Sequence, residues 1–459
     1  MAQASLLDCP KEVQLAIAEY LAPSDLVILS RASQGLHRLA EPLIYSAIEV
    51  SWTLQCHPPV TQLLRTLLEK PEIASRVRRL DLCGHGLTNE FGDLEKSDIL
   101  PSTVPLPIGK LSEAVKNIEV SKTADTWIDK VQLGATDAVV ALLISLMPSL
   151  EWLSLSANWT NETRFLGTMF RSALCDTHKD ASNHQPTRFV SLKHVSLSPA
   201  IDTEKHLDPE NTADALALFY LPKIQHLSVS IDNPTRFSWP SSAPPNPKFL
   251  SSLELHRIRE SRILPILSVT EGLKKLRYNW IYRGDLDSEV SSRIVRLDMM
   301  ATAFAKASNS LEELEIHAET LPAASEGEYE PPEVTLQGSL TQLSKMHRLK
   351  RLYVPWGFLI GSDDYATTGR IGPALPPSLE HLTLAGGFVE CEELDDPDDT
   401  MISTFQMELE SGSLAHLTSL KAVCLPKSCF TGGISDACKK KLDSLSARFN
   451  LMLAVEPGY

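Results

Sequence analysis

Long apolar runs are missing from this 459-residue chain. Nothing approaches the roughly 20 consecutive apolar residues that a bilayer-crossing helix needs, and the longest stretch, 138–147, reads as a buried helix. Missing too is the basic, then apolar, start of a secretory signal. The eight cysteines, scattered from Cys9 to Cys438 without a paired framework, are therefore read as reduced thiols of the cytoplasm or nucleus. Positive charge is in deficit: 43 Lys and Arg stand against 58 Asp and Glu, a formal −15. Such a field repels phosphate backbones and anionic lipid alike, so neither nucleic acid nor membrane is expected as a partner. Catalytic signatures are lacking as well. There is no G-x-S-x-G elbow, phosphate-binding G-x-x-x-x-G-K-[ST], dinucleotide G-x-G-x-x-G or H-E-x-x-H helix, so no enzymatic activity and no cofactor is expected. Cys175 and His178, with His184 beyond, have a partial metal spacing that no second pair completes, so no metal is expected either. The sequons at Asn158 and Asn161 matter only in a secreted chain and are read as fortuitous.

What is present divides into a short helical start and a long repetitive remainder. The chain exceeds the size at which one compact core keeps growing, which implies several domains or an elongated array. In residues 1–45, Pro10 suits a helix's first turn and Glu12 its positive end, predicting a helix to about Leu21. Val13, Ile17, Tyr20 and Leu21 form one apolar face, which Leu15 and Ala16 widen beyond the needs of a surface helix. Ser24 is the expected cap of a second helix carrying Leu26, Leu29 and Ala32. Gly35 is expected to end it, and Leu36, Leu39 and Leu43 to supply a third. So small a unit, apolar on more than one side, is built to be completed by a partner.

Pro10-Lys11-Glu12-Val13, Ile17, Tyr20-Leu21, Pro23-Ser24-Asp25-Leu26, Leu29, Ser33, Leu36 and Leu39 resemble an F-box, over about a tenth of the chain. The pattern departs from the family at Cys9, where leucine is usual, and at Ala32, where valine is commoner. The resemblance implies docking on a Skp-type adaptor, and through it on a cullin–RING ubiquitin ligase, with Pro10, Val13, Ile17, Leu21, Asp25, Leu26 and Leu29 as the adaptor-binding residues. Burial of a Val, Leu or Ile side chain contributes about 1.5–3 kcal/mol, so a few of these could carry an interface. The competing reading is a helical cap over the first repeat.

Beyond residue 45, a strand is expected over 44–50 and an amphipathic helix over 62–69. Leu-x-x-Leu-x-Leu or a close variant then recurs ten times, centred on Leu80, Leu153, Val195, Leu227, Leu253, Leu276, Leu314, Leu352, Leu382 and Val423. This resembles a leucine-rich repeat, in which each motif is a short parallel strand and the returning segment, often a helix, closes the coil. From Leu153 onward the centres are 23 to 42 residues apart, against 20–29 in regular arrays, so an irregular one is expected. The motif's closing asparagine is matched at Asn158 and replaced by Asp232, Glu319 and Gly357 elsewhere. The fold class expected is therefore α/β: a three-helix F-box over 1–45, then an irregular leucine-rich-repeat solenoid over 46–459, as in F-box proteins of the fungal type. Insertions are expected at about 234–247, 323–333 and 390–399, the last a solvated acidic loop. A C-terminal helix is expected over 434–448, with Lys439-Lys440-Lys441 as a solvated face.

With the leucines turned inward, the residues between them line the sheet's concave face. Trp152, His194, His226, Arg277, Arg351 and Tyr353 are the target-binding candidates, since aromatic and arginine side chains dominate binding hot spots. Ser196 and Ser228 beside the histidines suggest chemistry, but flat ladder positions rarely supply a nucleophile, its base and an orienting third group together. The function expected is recognition of a target protein for ubiquitin transfer, and the alternative a repeat scaffold without ubiquitin machinery.

Overall fold

The computed structural model describes residues 9–55, 57–84, 87–88, 94–95, 99–100, 104–118, 124–175, 189–198, 215–231, 234, 236–284, 290–321, 332–361, 370–386, 396–428 and 433–456. It is mixed α/β, with a twelve-stranded parallel sheet whose strands follow one another in chain order. None of its described helices is long and apolar enough to cross a membrane. The chain divides into two units, Met1–Thr203 with Ala213–Ile224 and Pro240–Ser242, and Glu204–Thr212 with Gln225–Trp239 and Ala243–Tyr459.

The first unit opens with α1 (Lys11–Ala18), α2 (Pro23–Ala32) and α3 (Gln34–Ile44). The first helix stops short of Leu21 because Ala22 precedes a proline and is held extended (φ −65°, ψ 152°). Pro23 itself, with no N–H to leave unpaired, opens α2, so Ser24 lies inside that helix and does not cap it. Ser33 ends α2, not Gly35. Its extended backbone breaks the helix, and its Oγ accepts from Leu36 N at 3.2 Å to cap α3. Four strands follow: β1 (Ala47–Ser51), β2 (Arg79–Cys83), β3 (Trp152–Leu155) and β4 (His194–Leu197). Their register stacks Leu80 on Leu153 and Val195, and Leu82 on Leu155 and Leu197, all buried. The helix Thr136–Ser145 is apolar all round and buried from Thr136 to Ile144. Asp137 at its start takes Phe165 N at 2.7 Å and Leu166 N at 3.1 Å, so one helix's carboxylate caps the next, Arg164–Leu174. At the ends of the strands Asn158 is buried and its Nδ2 donates to Trp52 O at 3.0 Å, while Trp159 Nε1 donates to Cys83 O at 3.0 Å.

The second unit holds β5 (His226–Ser230), β6 (Ser252–His256), β7 (Lys275–Arg283), β8 (Glu313–Leu321), β9 (Arg351–Pro355), β10 (His381–Ala385), β11 (Ala422–Leu425) and β12 (Met452–Val455). Each pairs in parallel with the next, placing Leu227, Leu253, Leu276, Leu314, Leu352, Leu382 and Val423 in one buried row. Strand β7 outruns the motif because Trp280 and Tyr282 continue the inward alternation after Tyr278, and β8 pairs with it along its whole length. Beneath them Arg259 and Glu260 form a buried ion pair, Nε to Oε2 2.9 Å. Trp280 Nε1 donates to Glu260 at 3.1 Å, and Arg259 reaches Ser292 O and Ile294 O at 2.9 Å each. The guanidinium also lies 4.8 Å from the centre of the Trp280 ring.

Of the expected insertions, 236–247 carry no helix or strand, whereas 323–331 and 390–395 lie outside the described residues. The end of the third is not a loop: Asp396 caps the helix Pro397–Glu410, its Oδ1 accepting from Asp399 N at 3.0 Å, and Pro397 fits the first turn. The last helix is Asp436–Phe449. Its Lys441 is not merely solvated but bonds Asp399 Oδ1 at 2.7 Å and Ser403 Oγ at 2.5 Å.

Candidate functional site

Two kinds of surface stand out, one on the opening helices and one on the outward face of the strands. Among the described residues of the helical module the buried core is Ala18, Leu26 and Ala40, with Leu21, Leu29, Leu39, Leu43 and Ile44 half-buried around it. Two alanines and a leucine leave room for little else, so the larger side chains spaced around α1 and α2 turn outward. Pro10, Val13, Leu15, Ile17 and Ile28 are exposed, as is Asp25 in the first turn of α2, and Tyr20 keeps 92% of its surface in solvent. The seven adaptor-binding candidates therefore part company. Pro10, Val13, Ile17 and Asp25 are open to a partner, Leu21 and Leu29 are partly spent on the module's core, and Leu26, only 6% exposed, is wholly spent there. Leu26 is withdrawn as a contact residue, since its position facing Ala18 and Ala40 is what holds the helices together. Tyr20, Leu15 and Ile28, not among those seven, are exposed beside the open ones. Their signal was visible as apolar residues in excess of one helical face.

On the first unit's strands Trp152 is no open aromatic platform. Its ring lies parallel to that of His194, with centroids 3.3 Å apart and planes within 2°, and Arg79 covers it at 4.6 Å. The indole Nε1 donates to Asp81 Oδ1 at 3.0 Å, and Asp81 also pairs with Arg79. Trp152 and His194 are thus brought together as neighbours in a stack, one strand apart.

On the second unit's strands the register sets Glu254, Arg277, Glu315 and Tyr353 in one row and Ser252, Lys275, Glu313 and Arg351 in the next. Arg277 stands between two carboxylates, its Nε 3.4 Å from Glu254 and 3.6 Å from Glu315, near enough for attraction but off hydrogen-bond geometry. Lys275 Nζ bonds Glu313 and Glu315 at 3.0 Å each. Burial works against the charge of Lys275, but those two bonds outweigh it and raise its pKa, and the same lysine lowers that of Glu315 against burial's upward push. A third row, which the motif did not announce, holds His256, Asn279 and His317. Asn279 Nδ2 donates to His256 Nδ1 at 3.0 Å, leaving the ring proton on Nε2, which faces Glu254 at 3.4 Å. Burial pushes His256 down to about 4, and burial, then the Arg277 charge, lowers His317. The His317 ring stacks on Tyr353 at 4.4 Å. His226, lowered by burial, has Nδ1 3.0 Å from Ser252 Oγ. That serine's own N–H is committed to Gln225 O at 3.0 Å, so it offers no donor for an oxyanion.

Cys175 is a buried thiol, and His178 and His184 lie outside the described residues. Among the described residues no three metal-ligating side chains converge. No protein-family model matches the chain, and a search of curated proteins finds no relative.

Proposed function

We propose that the chain is the substrate-recognition subunit of a cullin–RING ubiquitin ligase. Its opening helices act as an F-box that docks on a Skp-type adaptor, and its parallel strands are coils of an irregular leucine-rich-repeat array whose outward rows receive a target protein. The observation that carries this reading is the apolar surface of Val13, Ile17, Tyr20 and Ile28, left in solvent on a module whose described core, Ala18, Leu26 and Ala40 with half-buried Leu21, Leu29, Leu39, Leu43 and Ile44 around them, does not take them in. A helical cap would have turned those residues onto the strands. The protein catalyses nothing and takes no cofactor. It contributes proximity, since holding a target lysine near an activated thioester makes a bimolecular encounter effectively intramolecular. Among the described residues Cys9, Cys83, Cys175, Cys424 and Cys438 form no disulfide, which suits work in the cytoplasm or nucleus.

Co-purification tests it. The full-length chain should recover a purified Skp-type adaptor as an established F-box protein does under the same conditions. Recovery by the control alone would leave a repeat scaffold without ubiquitin machinery.

A further inference from the structure

The ion pairs on the second unit's strand face are layered. Lys275, Arg277 and Arg351 keep 42, 43 and 65% of their side-chain surface exposed, whereas Glu313, Glu254 and Glu315 keep 25, 23 and 21%. The longer Lys and Arg stems reach past the shorter carboxylates, so acid lies beneath and cation on top. The cations are also held in place. Lys275 bridges two glutamates at 3.0 Å, and Arg277 lies between Glu254 and Glu315. Arg351 is the least compensated of the three: among the described residues its nearest carboxylate is Glu313 at 3.9 Å, which Lys275 already engages more closely. Its side chain keeps 65% of its surface in solvent, and a planar guanidinium is the shape that takes a carboxylate in a bidentate grip. Two residues along the same strand, Tyr353 is braced by His317.

We infer that Lys275, Arg277 and Arg351, with Tyr353 beside them, receive an acidic segment of the target protein, a carboxylate seating on the Arg351 fork. This rests on the reading that the strand face receives a target. The surroundings narrow the occupant. The chain carries a formal −15, and beyond a Debye length of about 8 Å that excess sets the field. A long polyphosphate would run out over repelling surface, whereas a few Asp or Glu side chains that reach into the patch meet only its cationic outer layer.

The test is a titration of the purified full-length chain, without adaptor, with three fluorescein-labelled probes. These are a peptide alternating Asp-Glu with Gly-Ser, its Lys-Arg counterpart, and a thymidine oligonucleotide of the same formal charge as the acidic peptide. The acidic peptide should bind saturably, more weakly as salt rises, and about tenfold more weakly to Arg351→Glu, the loss of one charge-assisted contact. Arg351→Lys, which keeps the charge and loses the fork, should fall between the two. Arg351 is exposed, so both variants should keep the parent's thermal transition. The inference is overturned by absence of saturable binding, by equal affinity in Arg351→Glu, by preference for the basic peptide, or by an oligonucleotide that binds as tightly. The adaptor takes no part, so failure here leaves the docking reading standing, and failure of adaptor recovery leaves this titration interpretable.

Discussion

Replacing both Ile17 and Tyr20 by aspartate separates docking from folding. Tyr20 is 92% and Ile17 45% exposed, so charges placed there remain in water and the thermal transition should move by no more than about 0.5 kcal/mol of stability. On the adaptor the same positions should be costly. A tyrosine has about 150–250 Å² to bury, and at about 25 cal/mol per Å² nearly all of it is available at Tyr20 and about half of a 1.5–3 kcal/mol side chain at Ile17. Together they offer at least about 4 kcal/mol, several-hundredfold or more in Kd. Leu26→Asp is the contrasting variant: it drives an unpaired carboxylate between Ala18 and Ala40 and should unfold the module. Leu21, half-buried against that core, would blur the contrast and is left intact. Calorimetric titration with a purified Skp-type adaptor gives the affinity, and circular dichroism the stability. Wild-type affinity in the double variant, or a transition that falls together with affinity, would refute the reasoning.

Four further outcomes follow from the packing. Glu260→Gln leaves Arg259 charged and buried without its counter-ion and should cost about 3–5 kcal/mol in urea unfolding, whereas Arg259→Met combined with Glu260→Gln should cost less than the single change. His256 is near 4 in the fold and near 6.5 when unfolded, so the unfolded chain binds the extra proton. Stability should therefore be intact above about pH 6.5 and decline by up to about 3 kcal/mol as pH falls toward 4, a slope that His256→Gln should flatten. Gly84 sits at φ 146° with Trp52 O 2.5 Å from where a Cβ would stand, so Gly84→Ala should lower stability by at least about 2 kcal/mol. Gly109, helical with nothing within 4 Å, should accept alanine with a gain of up to about 1 kcal/mol.

The strands were legible because their signal is local. An inward leucine at every second position announces a buried face, and all ten motif centres lie on parallel strands. The candidates on the outward face were legible only as positions. That Trp152 is sandwiched between Arg79 and His194, or that Arg277 stands between two glutamates, depends on which residue lies one strand over, 23 to 73 positions away in chain. The Arg259–Glu260 pair was invisible for the same reason, since its other partners, Trp280, Ser292 and Ile294, come from later segments. At the helical module the apolar excess was plain in the sequence, but its division into core and surface was not. A period of 3.6 marks a face without saying what covers it, and only the placement of Ala18 and Ala40 against Leu26 shows which leucine is spent internally.

The outward ion pairs bear on recognition more than on stability. Half-exposed pairs such as Lys275 with Glu313 each add about 0–1 kcal/mol to folding, and salt weakens them further. What they do change is the freedom of the cation. A loose lysine or arginine gives up roughly 0.5–1.5 kcal/mol of side-chain entropy when a partner immobilises it, and much of that loss is already incurred when Glu254, Glu313 and Glu315 hold Lys275 and Arg277 in place. Arg351, whose one carboxylate within 4 Å among the described residues is Glu313 at 3.9 Å, stands beside neighbours that are more closely held. Removing the underlying carboxylates should therefore not strengthen the grip on an acidic ligand as simple charge counting suggests. Glu313→Gln raises the local positive charge by one yet removes one of the two anchors of Lys275, leaving Glu315 alone to hold it, so the gain in attraction is offset by the order it removes.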